Sequence, residues 1–127
     1  MTLIDFVLDF ENAKLAYDLL WFLESDIVYT LEDEPTDDFP LDVRYSYITD
    51  TAYLLKYVEE CLAYSCGSCL GKIRFDVIDS GQSIILQHAL YALMDMSNDS
   101  DNKEESRVFT RLHNEISTLM DEQLVKD

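Results

Sequence analysis

Glycine and proline are nearly absent from this chain, with three glycines and two prolines in 127 residues. Turn-rich architectures such as β-sandwiches need these residues at their corners, so the scarcity argues against them and favours long helices. Basic residues are also few: nine lysines and arginines stand against twenty-six aspartates and glutamates, a formal charge of −17. A surface of that sign repels phosphate, which argues against nucleic acid or an anionic membrane as a direct partner. No apolar run approaches the length of a membrane span. The first ten residues carry Asp5 and Asp9 but no lysine or arginine, unlike a secretory leader. The three cysteines are an odd number, ill suited to a disulfide framework. A reducing cytoplasm is the compartment these features imply.

What is present is hydrophobic material in helical rhythm. Hydrophobic residues make up 48% of the chain, enough for a core in one domain of this length. Thr2 and Asp5 resemble a capping box, and Leu3, Phe6, Phe10, Ala13, Tyr17 and Leu20 follow at three- and four-residue steps. Leu19, Trp21, Phe22 and Leu23 widen that stripe. The pattern predicts a helix from about Thr2 to about Leu31, buried on more than one side and with a bend near Ser25-Asp26. A strand over Leu3–Leu8 is the alternative, because a short apolar run fits both periods.

Both prolines fall in the segment 32–40, EDEPTDDFP, which reads as an acidic loop. A second helix fits Leu41–Tyr64, broken by Cys66-Gly-Ser-Cys69-Leu-Gly71. Lys72–Asp79 alternates at Ile73, Phe75 and Val77 like a short strand, although Ile78 spoils the alternation and leaves a helical turn open. A third helix fits Ser80 or Gln82 to Met96, and 97–102 reads as a flexible polar connection. The last helix carries one apolar face of Val108, Phe109, Leu112, Ile116, Leu119, Met120 and Leu124. No internal repeat or domain boundary is visible. The expected fold is mostly α: a single-domain bundle over 1–127 with about four helices and room for one short strand near 72–78.

The acid is concentrated. Residues 1–50 hold thirteen acids and two bases, and no base lies between Lys14 and Arg44. A solvated face normally mixes both signs, because a single-sign cluster repels itself. Glu32, Asp33, Glu34, Asp37, Asp38 and Asp42 form its densest part, with Tyr29, Phe39, Tyr45 and Tyr47 beside them. Carboxylates for steering beside aromatic anchors make the composition of a surface that faces a basic partner. An acidic loop flanked by core aromatics is the plainer reading of the same residues.

Other chemistries find less support. Cys61, Cys66 and Cys69 have the C-x4-C-x2-C spacing of three ligands in plant-type [2Fe–2S] ferredoxins, but a fourth cysteine is missing. Zinc would need His88 or His113 as a fourth ligand, and neither has paired spacing. A redox Cys66-x-x-Cys69 should begin a helix, whereas here a helix ends. Buried thiols are the simpler reading, and no cofactor is expected. His88 and His113 lack a glutamate three residues earlier, so the di-iron helix pattern is missing. Asp99 and Asp101 fail as a calcium loop, since its sixth position is Glu104 instead of glycine. No P-loop, nucleophile elbow or dinucleotide fingerprint occurs.

The expected function is therefore non-catalytic. It is that of a small acidic inhibitor that neutralises a basic protein, such as a nuclease or another nucleic-acid-handling protein. Immunity proteins, antitoxins and phage anti-defence or DNA-mimic proteins work in this manner. The expected contact residues are the six carboxylates from Glu32 to Asp42, with Tyr29, Phe39 and Tyr45 as anchors. A helical adaptor or homo-oligomer is the main alternative, because fifteen aromatic residues are more than a small bundle easily buries. A metal or redox protein built on the cysteine cluster is the other.

Overall fold

The element order is β1 (Ile4–Asp9), α1 (Ala13–Glu32), α2 (Leu41–Ser65), β2 (Lys72–Ile78), α3 (Ser80–Asp99) and α4 (Lys103–Leu124). The structure is a computed structural model and describes residues 4–65 and 71–124. Four helices dominate it, with one small two-stranded sheet, so the expected helical bundle is the observed architecture.

The chain opens differently from the helix expected over Thr2–Leu31. Ile4–Asp9 is a strand, and α1 begins only at Ala13. Phe6, Leu8 and Phe10 point inward at the two-residue period of a strand, while Val7 between them is exposed. Asn12 starts the helix. Its extended backbone and a side-chain oxygen 3.0 Å from the Leu15 amide supply an N-cap, satisfying one of the unpaired donors of the first turn. Asp79 and Asn102 do the same for α3 and α4 at the amides of Gln82 and Glu105. Gln82 returns a bond to the Asp79 amide and completes a capping box.

β1 and β2 pair antiparallel, with Phe6 opposite Phe75 and Asp9 opposite Lys72. The register shifts between Ile4 and Phe6, where two steps on β1 match three on β2. That bulge coincides with the Val77-Ile78 pair that breaks the alternation in sequence, since an extra residue moves the pattern by one place. The expected strand near 72–78 is present.

The helices pair as two antiparallel hairpins. In the first, Asp26 meets Tyr47 and Thr30 meets Arg44. In the second, Asn98 meets Ser106, Tyr91 meets His113 and Gln87 meets Ser117, positions equidistant from the turn at Asn102. The connection expected over 97–102 is shorter than the sequence implied. Helix α3 continues to Asp99, Ser97 is buried with its hydroxyl on the Leu93 carbonyl, and only Ser100–Asn102 lie between the helices. The order strand–helix–helix thus occurs twice, although no repeat is visible in the residues themselves.

The core lies between the sheet and the helices: Leu8, Phe10, Leu19, Leu23, Leu54, Ile73, Phe75, Leu86, Leu90 and Phe109 are its largest fully buried side chains. Phe6 stacks on Phe75 at 5.3 Å, and Tyr57 of α2 stacks on the same ring at 5.4 Å. Gly71 closes the sheet at a backbone angle φ of +94°, and a Cβ there would sit 2.4 Å from the Asn12 carbonyl oxygen. Only glycine fits a left-handed position with backbone so near.

Candidate binding surface

The acidic loop is built around Arg44, the one base in its neighbourhood. This side chain comes from α2, is buried to 6% exposure, and reaches the end of α1. Nη1 donates to the Thr30 carbonyl at 2.7 Å and to that of Asp33, and Nη2 donates to Glu34 at 2.6 Å. Thr30 lies in the last turn of α1, where carbonyls have no partner within the helix, and Asp33 and Glu34 follow directly after it. A cation at that end also offsets the negative pole of the helix, and the last turn of α1 holds no base of its own. The guanidinium lies 5.3 Å over the ring of Phe39, which meets Tyr47 edge-on at 5.8 Å. Thr36 and Phe39 exchange backbone hydrogen bonds across the loop.

The consequence is electrostatic. Arg44 binds backbone and not carboxylate, so it anchors the loop without neutralising it. Glu32, Asp33, Glu34, Asp37, Asp38 and Asp42 are all exposed, and none forms an ion pair with a described residue. Glu32 is the last residue of α1 instead of the first of the loop, and Asp42 lies in the first turn of α2, where an acid suits the positive end of the helix.

The three expected anchors do not form one patch. Phe39 is half-buried beneath Arg44 and shapes the loop. Tyr29 is 69% exposed on α1, in a groove with Trp21, Glu24, Ser25, Val28 and Glu32. Tyr45, at 72%, lies on α2 beside a separate shallow cavity with Ser46, Thr49 and Asp50. Tyr47 turns inward and donates to the Asp26 carboxylate; burial, then that neighbouring acid, pushes its phenol well above the usual value.

The expectation that α1 is buried on more than one side is overturned. Its core stripe is Leu15, Ala16, Leu19, Leu23 and Thr30. Tyr17 and Trp21, placed in the core by periodicity, are 53% and 54% exposed, and Val28 is exposed as well. Tyr17, Trp21 and Val28 follow each other by four and seven residues, a second ridge on the side away from the core. Trp21 borders two cavities. One is the groove of about 340 Å³ shared with Tyr29; the other, about 160 Å³, is lined by Asp18, Leu93, Met96, Ser97, Ser100, Glu105 and Phe109. The sequence signal for this ridge was the excess of apolar residues around α1, more than one buried face requires.

Around the start of α1 and along α4, several charges are paired. Glu11, at the turn before α1, receives Arg107 at 3.0 Å and Arg111 at 3.1 Å, and the two guanidinium groups hold its carboxyl below the ordinary range. Arg107 also meets Glu104, and Arg111 meets Glu115 and the Asp9 carbonyl. Lys14 bonds Asp18 at 3.0 Å and also Glu105. Arg107 and Arg111 border an open trough of about 1020 Å³ along β1 and α4.

Of the cysteine cluster, Cys61 is half-buried against the core; Cys66 and Cys69 lie outside the described residues. His88 is exposed on α3 and His113 half-buried on α4. Among the described residues, no group of three or more His, Cys, Asp or Glu is placed to hold a metal ion. None of the described helices is long and apolar enough to cross a membrane. No family model matches the chain, and no curated protein or solved structure matches it.

Proposed function

We propose that this protein binds and neutralises a basic, nucleic-acid-handling protein and performs no catalysis of its own, in the manner of immunity proteins, antitoxins and DNA-mimicking anti-defence proteins. The observation that carries this reading is the state of the six carboxylates from Glu32 to Asp42. They are exposed and without ion pairs among the described residues, while the single nearby cation is committed to the backbone. Unpaired charges of one sign on an anchored loop raise the encounter rate with a cationic surface and occupy positions that phosphates would take. Tyr29 and Tyr45 flank the loop as exposed aromatic contacts, and Phe39 supports it from below.

The test is capture of basic proteins on immobilised protein at rising salt, with nucleic acid as competitor. Binding should fall about tenfold or more from low to physiological salt, and nucleic acid should displace the captured protein. A variant with all six carboxylates changed to the corresponding amides should lose most of the binding. Binding indifferent to salt, competitor and substitution sinks the reading. The exposed ridge of Tyr17, Trp21 and Val28 favours a second reading, a homo-oligomeric helical module, which sedimentation at increasing concentration separates from the first.

A further inference from the structure

We propose that the outward ridge of α1 is the docking site for an amphipathic basic helix of the partner, with Trp21 as the central anchor. This rests on the basic-partner reading above and adds to it the surface and the form of the contact. The ridge runs from Tyr17 to Glu32, about 22 Å at the rise of an α-helix, or roughly four turns. It carries exposed Tyr17, Trp21, Val28 and Tyr29, and its two cavities meet at Trp21. An aromatic residue between two concavities is the arrangement into which the apolar side chains of a partner helix insert at their three- and four-residue spacing.

Charge selects the occupant. Glu24 and Glu32 border the larger groove, are exposed, and have no ion pair with a described residue. At the other end Lys14 bonds both Asp18 and Glu105, so the ridge runs from a partly neutralised end to a more strongly negative one. The unpaired carboxylates of Asp33 and Glu34 lie at that second end. A helix with an apolar stripe and lysines or arginines beside it matches both features. A second copy of this chain could match the apolar stripe but not the charge, since each carries −17 and would bring carboxylate against carboxylate. Addition of an extended strand is disfavoured as well: Tyr57 donates to the Arg74 carbonyl at 2.6 Å and Arg111 to that of Asp9 at 2.5 Å, so helix side chains already engage both strands.

Trp21 is the only tryptophan and reports on its own environment. The probes are a leucine–lysine peptide of about 18 residues with one apolar face, and a shuffled peptide of the same composition with none. The amphipathic peptide should shift Trp21 emission to the blue and bind about tenfold tighter than the shuffled one. Two variants should remove that advantage in the anisotropy of a labelled peptide: Trp21→Ala alone, and Val28→Ser combined with Tyr29→Ser. Changing the six loop carboxylates to amides should weaken both peptides alike. Equal binding of the two peptides without a blue shift overturns the ridge as a dock and leaves the basic-partner reading standing. If neither peptide binds at low salt, both readings fall. Concentration-dependent dimerisation that shields Trp21 without peptide assigns the ridge to a second copy and overturns the proposal.

Discussion

The two strand–helix–helix units of this protein use the same order of elements for different electrostatic ends. Residues 1–70 carry fifteen acids and three bases, whereas residues 71–127 carry eleven and six. In the second unit three residues join the helices, and Arg107 and Arg111 are placed on carboxylates. In the first, eight residues join them; Lys14 meets carboxylates at the far end of α1, but Arg44, the base at the connection, is placed on carbonyl groups. A cation on carboxylates cancels charge; a cation on carbonyls gives the loop its shape and leaves its carboxylates unopposed. The difference shows that how the few bases are used, as much as the number of acids, determines where the negative field is strongest.

Substitutions at the joint and in each unit test that contrast. The largest effect is expected at Gly71, which joins the sheet to the start of the first helix pair. Gly71→Ala forces a side chain into a left-handed position against the Asn12 backbone and should cost about 3 kcal/mol, seen as a fall in Tm of roughly 12 °C. Next comes Arg44→Ala, which abandons three carbonyl acceptors and the face of Phe39; a loss of about 2–3 kcal/mol and faster proteolysis within 33–40 are expected. Arg107→Ala in the second unit, an exposed ion-pair residue, should cost under about 1 kcal/mol by the same denaturation measurement. Equal losses at Arg44 and Arg107 would erase the distinction between the units.

Smaller effects follow from titration. The Glu11 carboxyl is held low by Arg107 and Arg111, so its contribution is present above about pH 4.3, its unfolded value, and disappears as pH falls through the depressed folded value. Glu11→Gln should flatten the acid limb of a plot of Tm against pH. Asp50 has the opposite sign: burial, then the nearby charge of Asp79, raises its carboxyl. Its ionised form therefore opposes folding at neutral pH, and that opposition disappears on acidification. Asp50→Asn should raise Tm by about 1–2 °C at pH 7 and by nothing below about pH 4.

Much of the helical content was legible because α2, α3 and α4 are long enough for a 3.6-residue period to be unmistakable. Leu3–Leu8 was too short for that. A six-residue apolar run satisfies both periods, and only pairing with Lys72–Ile78 decides for the strand. The polar Glu11-Asn12 break and the capping character of Asn12 were the local clues to a later helix start. Exposure of Trp21 was hidden for another reason: periodicity reports that a residue is apolar but cannot say whether a second element arrives to cover it. The role of Arg44 was hidden because its partners are carbonyl groups ten to fourteen residues away, and backbone acceptors leave no mark on composition.

The amino-acid sequence by itself determined the helical class, the size and sign of the charge, and its concentration before residue 50, since these depend on residue identity and short-range spacing. Tertiary structure alone decided that the first segment is a strand, that strand–helix–helix occurs twice, that Trp21 faces outward, and that Arg44 shapes the acidic loop without neutralising it. Each of those depends on which distant groups meet, and contact between remote parts of a chain is set by packing rather than by local propensity.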